Sequence, residues 1–171
     1  MTPLHWLSVE GHASVVQWIV DEAGADVDFG DGLFGQSALH FAASKDNARV
    51  AQQLLELGAD PLKRDGAGWT PLHTAARAGS ADVAAILLAA LPKDGVDATG
   101  PHGQTPLHRA AFWGHTEMVT ALLEGGARRN KVDARGRSAA DVVCDGGDRR
   151  GELPKLLALL RSPAPQYAEA A

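Results

Sequence analysis

TPLHRAAFWGH, residues 105–115, places two histidines, a Thr-Pro pair, adjacent alanines and a glycine in eleven positions. Such a cluster suits either a metal or catalytic site, or the framework of a repeated fold. The rest of the chain decides between them. TPLHWLSVEGH starts at Thr2, SALHFAASKDN at Ser37, TPLHTAARAGS at Thr70 and SAADVVCDGGD at Ser138. The five starts are 35, 33, 35 and 33 residues apart. The first four are followed by apolar blocks, VVQWIV, VAQQLL, VAAILL and MVTALL, and then by GAD, GAD, DGVD and GAR. Self-similarity at such a period marks stacked structural units.

Each residue type has a physical role in such a unit. The Thr or Ser hydroxyl caps a helix N-terminus. Proline follows at the first helical position, where its missing N–H costs nothing. A short helix runs to the glycine near position ten. A second helix carries the Val/Leu block and ends near GAD, where glycine permits a left-handed terminus. The pairs Ala42-Ala43, Ala75-Ala76 and Ala110-Ala111 let neighbouring helices approach closely. Connecting segments such as ADPLKRDGAGW have the turn residues of a projecting loop. The longer spacings come from extra loop residues, around Ala23 and Asp31 and within LPKDG.

The Thr-Pro-Leu-His-x-Ala motif at this period resembles the ankyrin-repeat family. The resemblance implies an all-α solenoid of helix-turn-helix units with projecting β-hairpin loops. It covers residues 2–161, with units at about 2–36, 37–69, 70–104, 105–137 and 138–161, leaving 162–171 as a disordered tail. Both end units depart from the motif, as capping units do. The first has Leu7-Ser8 for the alanine pair. The last has Asp141 for histidine and Val143-Cys144 for the alanines, before a closing helix in RRGELPKLLALLRS. Trp6 and Trp18 are expected to pack within the first unit, whose edge should be sticky.

Composition supports a folded, soluble chain: 45% of its 171 residues are hydrophobic and 22% charged. Aromatics are only 5%, so the core must be built from Ala, Leu and Val. One cysteine among the 171 residues excludes an internal disulfide and a four-cysteine zinc site. The start lacks signal-peptide layout, and the longest apolar run, Val83 to Leu91, is too short to span a bilayer. An intracellular location, cytoplasmic or nuclear, is expected. The net charge of −5 argues against nonspecific nucleic-acid binding. It is uneven: residues 1–62 hold nine acids and two bases, and the remainder twelve acids and fourteen bases.

Six of the seven histidines belong to the framework. His5, His40, His73 and His108 share one motif position, and His12 and His115 another. By the resemblance, the first set bonds backbone of the adjacent loop. Only His102 stands apart, at a loop tip. No cofactor or metal is expected. Asp26, Asp60, Asp65, Asp97 and Asp133 recur where turns need them. Cys144 sits at a packing position. The competing class, an enzyme using Cys144 or a histidine pair, would show a reactive thiol or bound zinc.

Function must then lie in residues that do not repeat. The resemblance implies a protein-binding adaptor or scaffold, with contacts on the hairpin tips and the exposed side of each first helix. Carried over residue by residue, these are Phe34 and Lys45; Arg64, Trp69 and Arg77; His102, Gln104, Phe112 and Trp113; and Arg135 and Arg137. Phe112, Trp113, Arg135 and Arg137 are expected to border one patch. The loop GARRNKVDARGR, with Arg128, Arg129, Lys131, Arg135 and Arg137 against Asp133, suggests a partner with an acidic segment. LHFAASKDNARVAQQLLELGA and GWTPLHTAARAGS are also similar to gankyrin-type proteasome assembly chaperones. That likeness implies a proteasomal ATPase as partner.

Overall fold

The computed structural model describes residues 1–146 and 151–161, with the side chains of residues 144–146 outside that description. The expected tail at 162–171 and the packing of the Cys144 side chain lie outside the described residues. The helices are α1 (Pro3–Glu10), α2 (Ala13–Asp21), α3 (Ala38–Lys45), α4 (Ala48–Glu56), α5 (Pro71–Ala78), α6 (Ala81–Ala90), α7 (Pro106–Trp113), α8 (Thr116–Glu124), α9 (Ala139–Gly146) and α10 (Leu153–Arg161). Odd-numbered helices pack on one another in chain order, α1 on α3 through α7 on α9, and even-numbered ones do the same from α2 to α10. The result is a helical solenoid of two layers.

The small residues set the spacing of the inner layer. Ala42, Ala43, Ala75, Ala76, Ala110 and Ala111 are buried, as are Leu39, Leu72 and Leu107 beside them. Val50, Val83 and Val119, with Leu54, Leu87 and Leu122, close the core from the outer layer. Each buried leucine contributes about 2 kcal/mol. In α1, Ser8 takes an alanine's place and satisfies its hydroxyl by donating to the Leu4 carbonyl at 2.8 Å. Trp6 and Trp18 do not pack as expected: they are 53% and 60% exposed. The helical period explains both. α1 buries Leu4, His5, Leu7 and Ser8, and α2 buries Val16, so Trp6 and Trp18 fall on the opposite faces. Phe29, Leu33 and Phe34 are exposed nearby.

α1, α5 and α7 stop at Gly11, Gly79 and Gly114, all left-handed. α3 stops instead at Asp46, with φ 56°. A side chain there is strained, but the Asp46 carboxylate accepts the Val83 N–H of α6 at 3.0 Å. That N–H lies in the first turn and has no partner within its own helix. One residue thus ends a helix in one unit and caps a helix in the next. Asp46→Ala keeps the strain and loses the cap, so it should cost about 2 kcal/mol. Asp46→Gly relieves the strain and should cost about 1 kcal/mol or less. Urea midpoints of the two variants test this; equal losses would remove the strain from the account.

Loops between units return as hairpins, each closed at its base by a backbone bond. Asp31 N–H donates to Gln36, Asp65 to Trp69, Gly100 to Gln104 and Asp133 to Arg137, all at 2.8–2.9 Å. No strand forms among the described residues, and the only pairing resembling one is an isolated antiparallel bridge, Val132 to Ser138. The turn role of the aspartates is visible. Asp31 accepts from Phe34 and Gln36, Asp65 from Ala67 and Trp69, and Asp133 from Arg135 and Arg137. Neighbouring tips touch: Gly66 N–H donates to the Phe34 carbonyl at 2.7 Å, and Ala134 N–H to the His102 carbonyl at 2.8 Å. A Cβ on Gly66 would come within 2.9 Å of that Phe34 oxygen.

Candidate functional site

The repeating histidines are spent on architecture. In each of the first four units, Nδ1 accepts the backbone N–H of the capping Thr or Ser, at 2.9–3.3 Å. Nε2 then meets a carbonyl that can only accept: Phe29 for His5, Trp69 for His40, Gln104 for His73 and Arg137 for His108, at 2.8–3.1 Å. The proton therefore sits on Nε2 and the ring is neutral. Both nitrogens are engaged, which leaves none to bind a metal or move a proton. Burial lowers all four pKa values from the ordinary 6.5, that of His73 to about 4. His115 donates from Nε2 to the Arg77 carbonyl at 3.0 Å, and Asn47, at the same motif position, donates to the Ser8 and Val9 carbonyls. These bonds satisfy carbonyls that the end of a helix leaves open.

The non-repeating residues gather elsewhere. Two hairpin tips and helices α5 and α7 enclose a groove of about 440 Å³. Leu33, Phe34 and Gln36 line it from the first tip, Asp65, Ala67 and Trp69 from the second, and Thr74, Arg77 and Arg109 from the helices. The Arg109 guanidinium lies over the Trp69 ring, 3.9 Å from its centre. Trp69 is held in turn by the next hairpin: its ring occupies the space where Gly100 would carry a Cβ. Arg77 stands 5.9 Å from the centre of the Trp113 ring, and Trp113 meets Phe112 edge-on at 5.7 Å. Burial, reinforced by the charge of Arg77, pushes the Arg109 guanidinium down to about 10. A cation–π contact of this kind contributes about 1 kcal/mol.

The expected contact residues therefore divide. Phe34, Trp69 and Arg77 line one groove, and Phe112 and Trp113 adjoin it through Arg77. Lys45 is exposed at the end of α3. Arg64 is tied to the Gly68 and Thr99 carbonyls at 2.8 and 2.9 Å, so it staples loops together. His102 is exposed with φ 57°, and its carbonyl serves the next hairpin. The Gln104 carbonyl accepts from His73. Arg135 is exposed, while Arg137 pairs with Asp133 at 2.7 Å. The cation beside Trp113 is thus Arg77, one unit back, not Arg135. The basic loop is largely occupied too: Arg128 pairs with Asp97 at 2.6 Å, and Arg129 donates to the Leu159 carbonyl.

Arg109 was absent from the expected set, yet a signal for it exists. The residue directly after each motif histidine is Trp6, Phe41, Thr74 and Arg109, in positions flanked by residues that repeat. That variable column places Thr74 and Arg109 in the groove.

Among the described residues, no helix is long and apolar enough to cross a membrane. The sequence matches the family model for ankyrin repeats over residues 1–65 and 57–133. It is 30% identical to E3 ubiquitin-protein ligase KEG of Arabidopsis thaliana over 95% of this chain and 11% of that protein. It is 31% identical to palmitoyltransferase AKR1 of Lachancea kluyveri, over 78% of this chain and 18% of the relative. Neurogenic locus notch homolog protein 2 of Homo sapiens is 40% identical over 61% of this chain, which is 4% of that protein. The chain thus spans a small fraction of each relative, and the ligase and transferase activities in those names do not pass to it with the likeness. Two layers of short helices, histidines bonded to the following hairpin and the matched repeats have one explanation: the chain belongs to the ankyrin-repeat family, whose repeats form protein–protein interaction modules.

Proposed function

We propose that this protein is a non-catalytic adaptor that holds a partner protein on the surface formed by its hairpin tips and inner helices. The observation that carries this reading is a division of labour. Repeating polar residues are consumed by the framework, and non-repeating ones, Phe34, Trp69, Arg77, Arg109 and Trp113, converge on one groove and its rim. Tryptophan and arginine are the residues most enriched at interface hot spots. An enzyme built on Cys144 is the competing class, and titration of the native thiol separates the two: rapid modification of Cys144 would favour the enzyme.

Trp113 provides the sharper test. It is half-buried and meets Phe112 and Arg77. Trp113→Ala should leave the fold nearly intact and weaken partner binding by about 2 kcal/mol or more. Thermal unfolding of the variant, measured beside its affinity for a purified partner, decides the matter. Strong destabilisation with unchanged affinity per folded molecule would make Trp113 a packing residue. For the partner itself, the segments similar to gankyrin-type chaperones nominate a proteasomal regulatory-particle ATPase. A pull-down that recovers none would end that nomination.

A further inference from the structure

We propose that Arg77 and Arg109, beside Trp69, receive the side-chain carboxylate of an acidic residue in an extended segment of the partner, with an apolar neighbour of that residue lying against Phe34. The proposal rests on the groove being the partner-binding surface.

Three features of the groove point to a carboxylate. First, two cations line one groove, and neither is in an ion pair with a described residue. Among the described residues, the ion pairs are Arg128 with Asp97 and Arg137 with Asp133, and neither involves the groove. Asp65 lines the groove, but its Oδ1 is committed to the N–H groups of Ala67 and Trp69. Like charges in a partly buried place oppose each other, and an arriving anion relieves that opposition. Burial first, and the charge of Arg77 second, hold the Arg109 guanidinium below its ordinary value, with Asp65 offsetting them only in part. Second, the guanidinium is pre-oriented. Its central carbon lies over the Trp69 ring, 3.9 Å from the ring centre. Its N–H groups lie in the plane of the cation, where a carboxylate can accept two of them at once. Lysine could not offer this fork. Third, an apolar wall stands next to the charge: Phe34 is 66% exposed and Leu33 81% exposed on the facing tip.

The charge around the groove limits how much negative charge it takes. Asp65 lines the site and already sets one negative charge beside the two arginines. A single carboxylate meets the two arginines at short range. A phosphate dianion or a polyanion would also meet the Asp65 carboxylate with more than one negative charge. The groove therefore reads one acidic side chain next to an apolar one.

The test starts from a phage-displayed library of random peptides, roughly twelve residues long, selected on the immobilised full chain. Enriched peptides should carry Asp or Glu beside an aromatic or branched apolar residue. One is then synthesised in three forms, with the acid, with its amide and with phosphoserine, and titrated by fluorescence polarisation. Changing acid to amide should cost about tenfold in affinity on the wild-type protein and about twofold or less on Arg77→Gln and on Arg109→Gln. Arg109→Lys should behave like Arg109→Gln if the fork matters. Arg77 is exposed and stands over Trp113 rather than Trp69, so Arg77→Gln keeps the test open should Arg109→Gln disturb Trp69. The proposal falls if no peptide is enriched, if enriched peptides lack an acid, if the acid-to-amide cost is the same on all variants, or if phosphoserine binds more tightly. Peptides that depend on Trp113 but ignore both arginines would keep the adaptor reading and sink the carboxylate site alone.

Discussion

Between pH 6.5 and about 4, the protein is expected to lose about 3 kcal/mol of stability through His73 alone. The sign follows from which state takes the proton first. In the unfolded chain, His73 protonates near its ordinary 6.5; folded, it resists until about 4, because burial disfavours the cation and Nδ1 faces donors. Its contribution is complete above pH 6.5 and drains away as pH falls towards 4. His5, His40 and His108 are lowered by burial as well and act in the same direction. Asp133 works in a lower window: bonded to Arg137, its carboxyl is held down to about 2, so its contribution persists above 3.8 and is lost only below. Urea midpoints measured from pH 7.5 to 4.5 should therefore fall steadily below 6.5, above the window in which Asp133 acts. A flat profile across that range would mean that the four imidazoles titrate normally in the folded state.

Gly100→Ala is expected to destabilise the protein by about 2 kcal/mol and to displace the aromatic centre of the groove. Gly100 has an extended backbone, φ −93° and ψ −160°, which alanine adopts without strain. The cost is therefore steric alone. The added methyl would lie 2.5 Å from Cε3 and 2.6 Å from Cζ3 of Trp69, and 3.2 Å from Nε2 of His73. The tryptophan must move, and Arg109 loses the ring on which it rests. Gly32→Ala is the matched control, because its Cβ would meet nothing within 4 Å; its effect should stay within about 0.5 kcal/mol. Denaturation of the two variants, with peptide or partner affinity measured alongside, separates a packing defect from a binding defect. Wild-type stability and affinity in Gly100→Ala would show that Trp69 is not held by that hairpin.

The architecture was legible because its determinants are local and repeat. Thr105, Pro106 and His108 act within one turn of helix, and the same chemistry at four starts leaves little room for another fold. The groove was only partly legible, because its contacts cross units. Nothing near Arg64 in sequence says that it will meet the Thr99 carbonyl, 35 residues away. Nothing near Arg128 announces Asp97. A run of basic residues therefore looks like a charged surface until its internal partners are seen. Trp6 and Trp18 mislead for a related reason: large aromatics suggest a core, but the narrow space between stacked helices is filled by alanine and leucine. Arg109 was readable by a different rule, that of seeking the position that varies among positions that repeat.

The bonds from His40, His73 and His108 to the following hairpin all end on main-chain oxygen. A carbonyl is the same in every residue, so these couplings are indifferent to which unit comes next. Excision of residues 70–104 in register would leave His40 its Trp69 carbonyl and His108 its Arg137 carbonyl, since both acceptors lie outside the cut. Gene duplication and unequal recombination can then insert, remove or shuffle whole units without breaking these histidine bonds. The groove does not share this freedom, because Trp69, Gly100 and Arg109 recognise one another as individual side chains or as the lack of one. Evolution of such a chain can run at two speeds: its length can drift by whole units, while the binding surface must be reinvented each time an exchange crosses it.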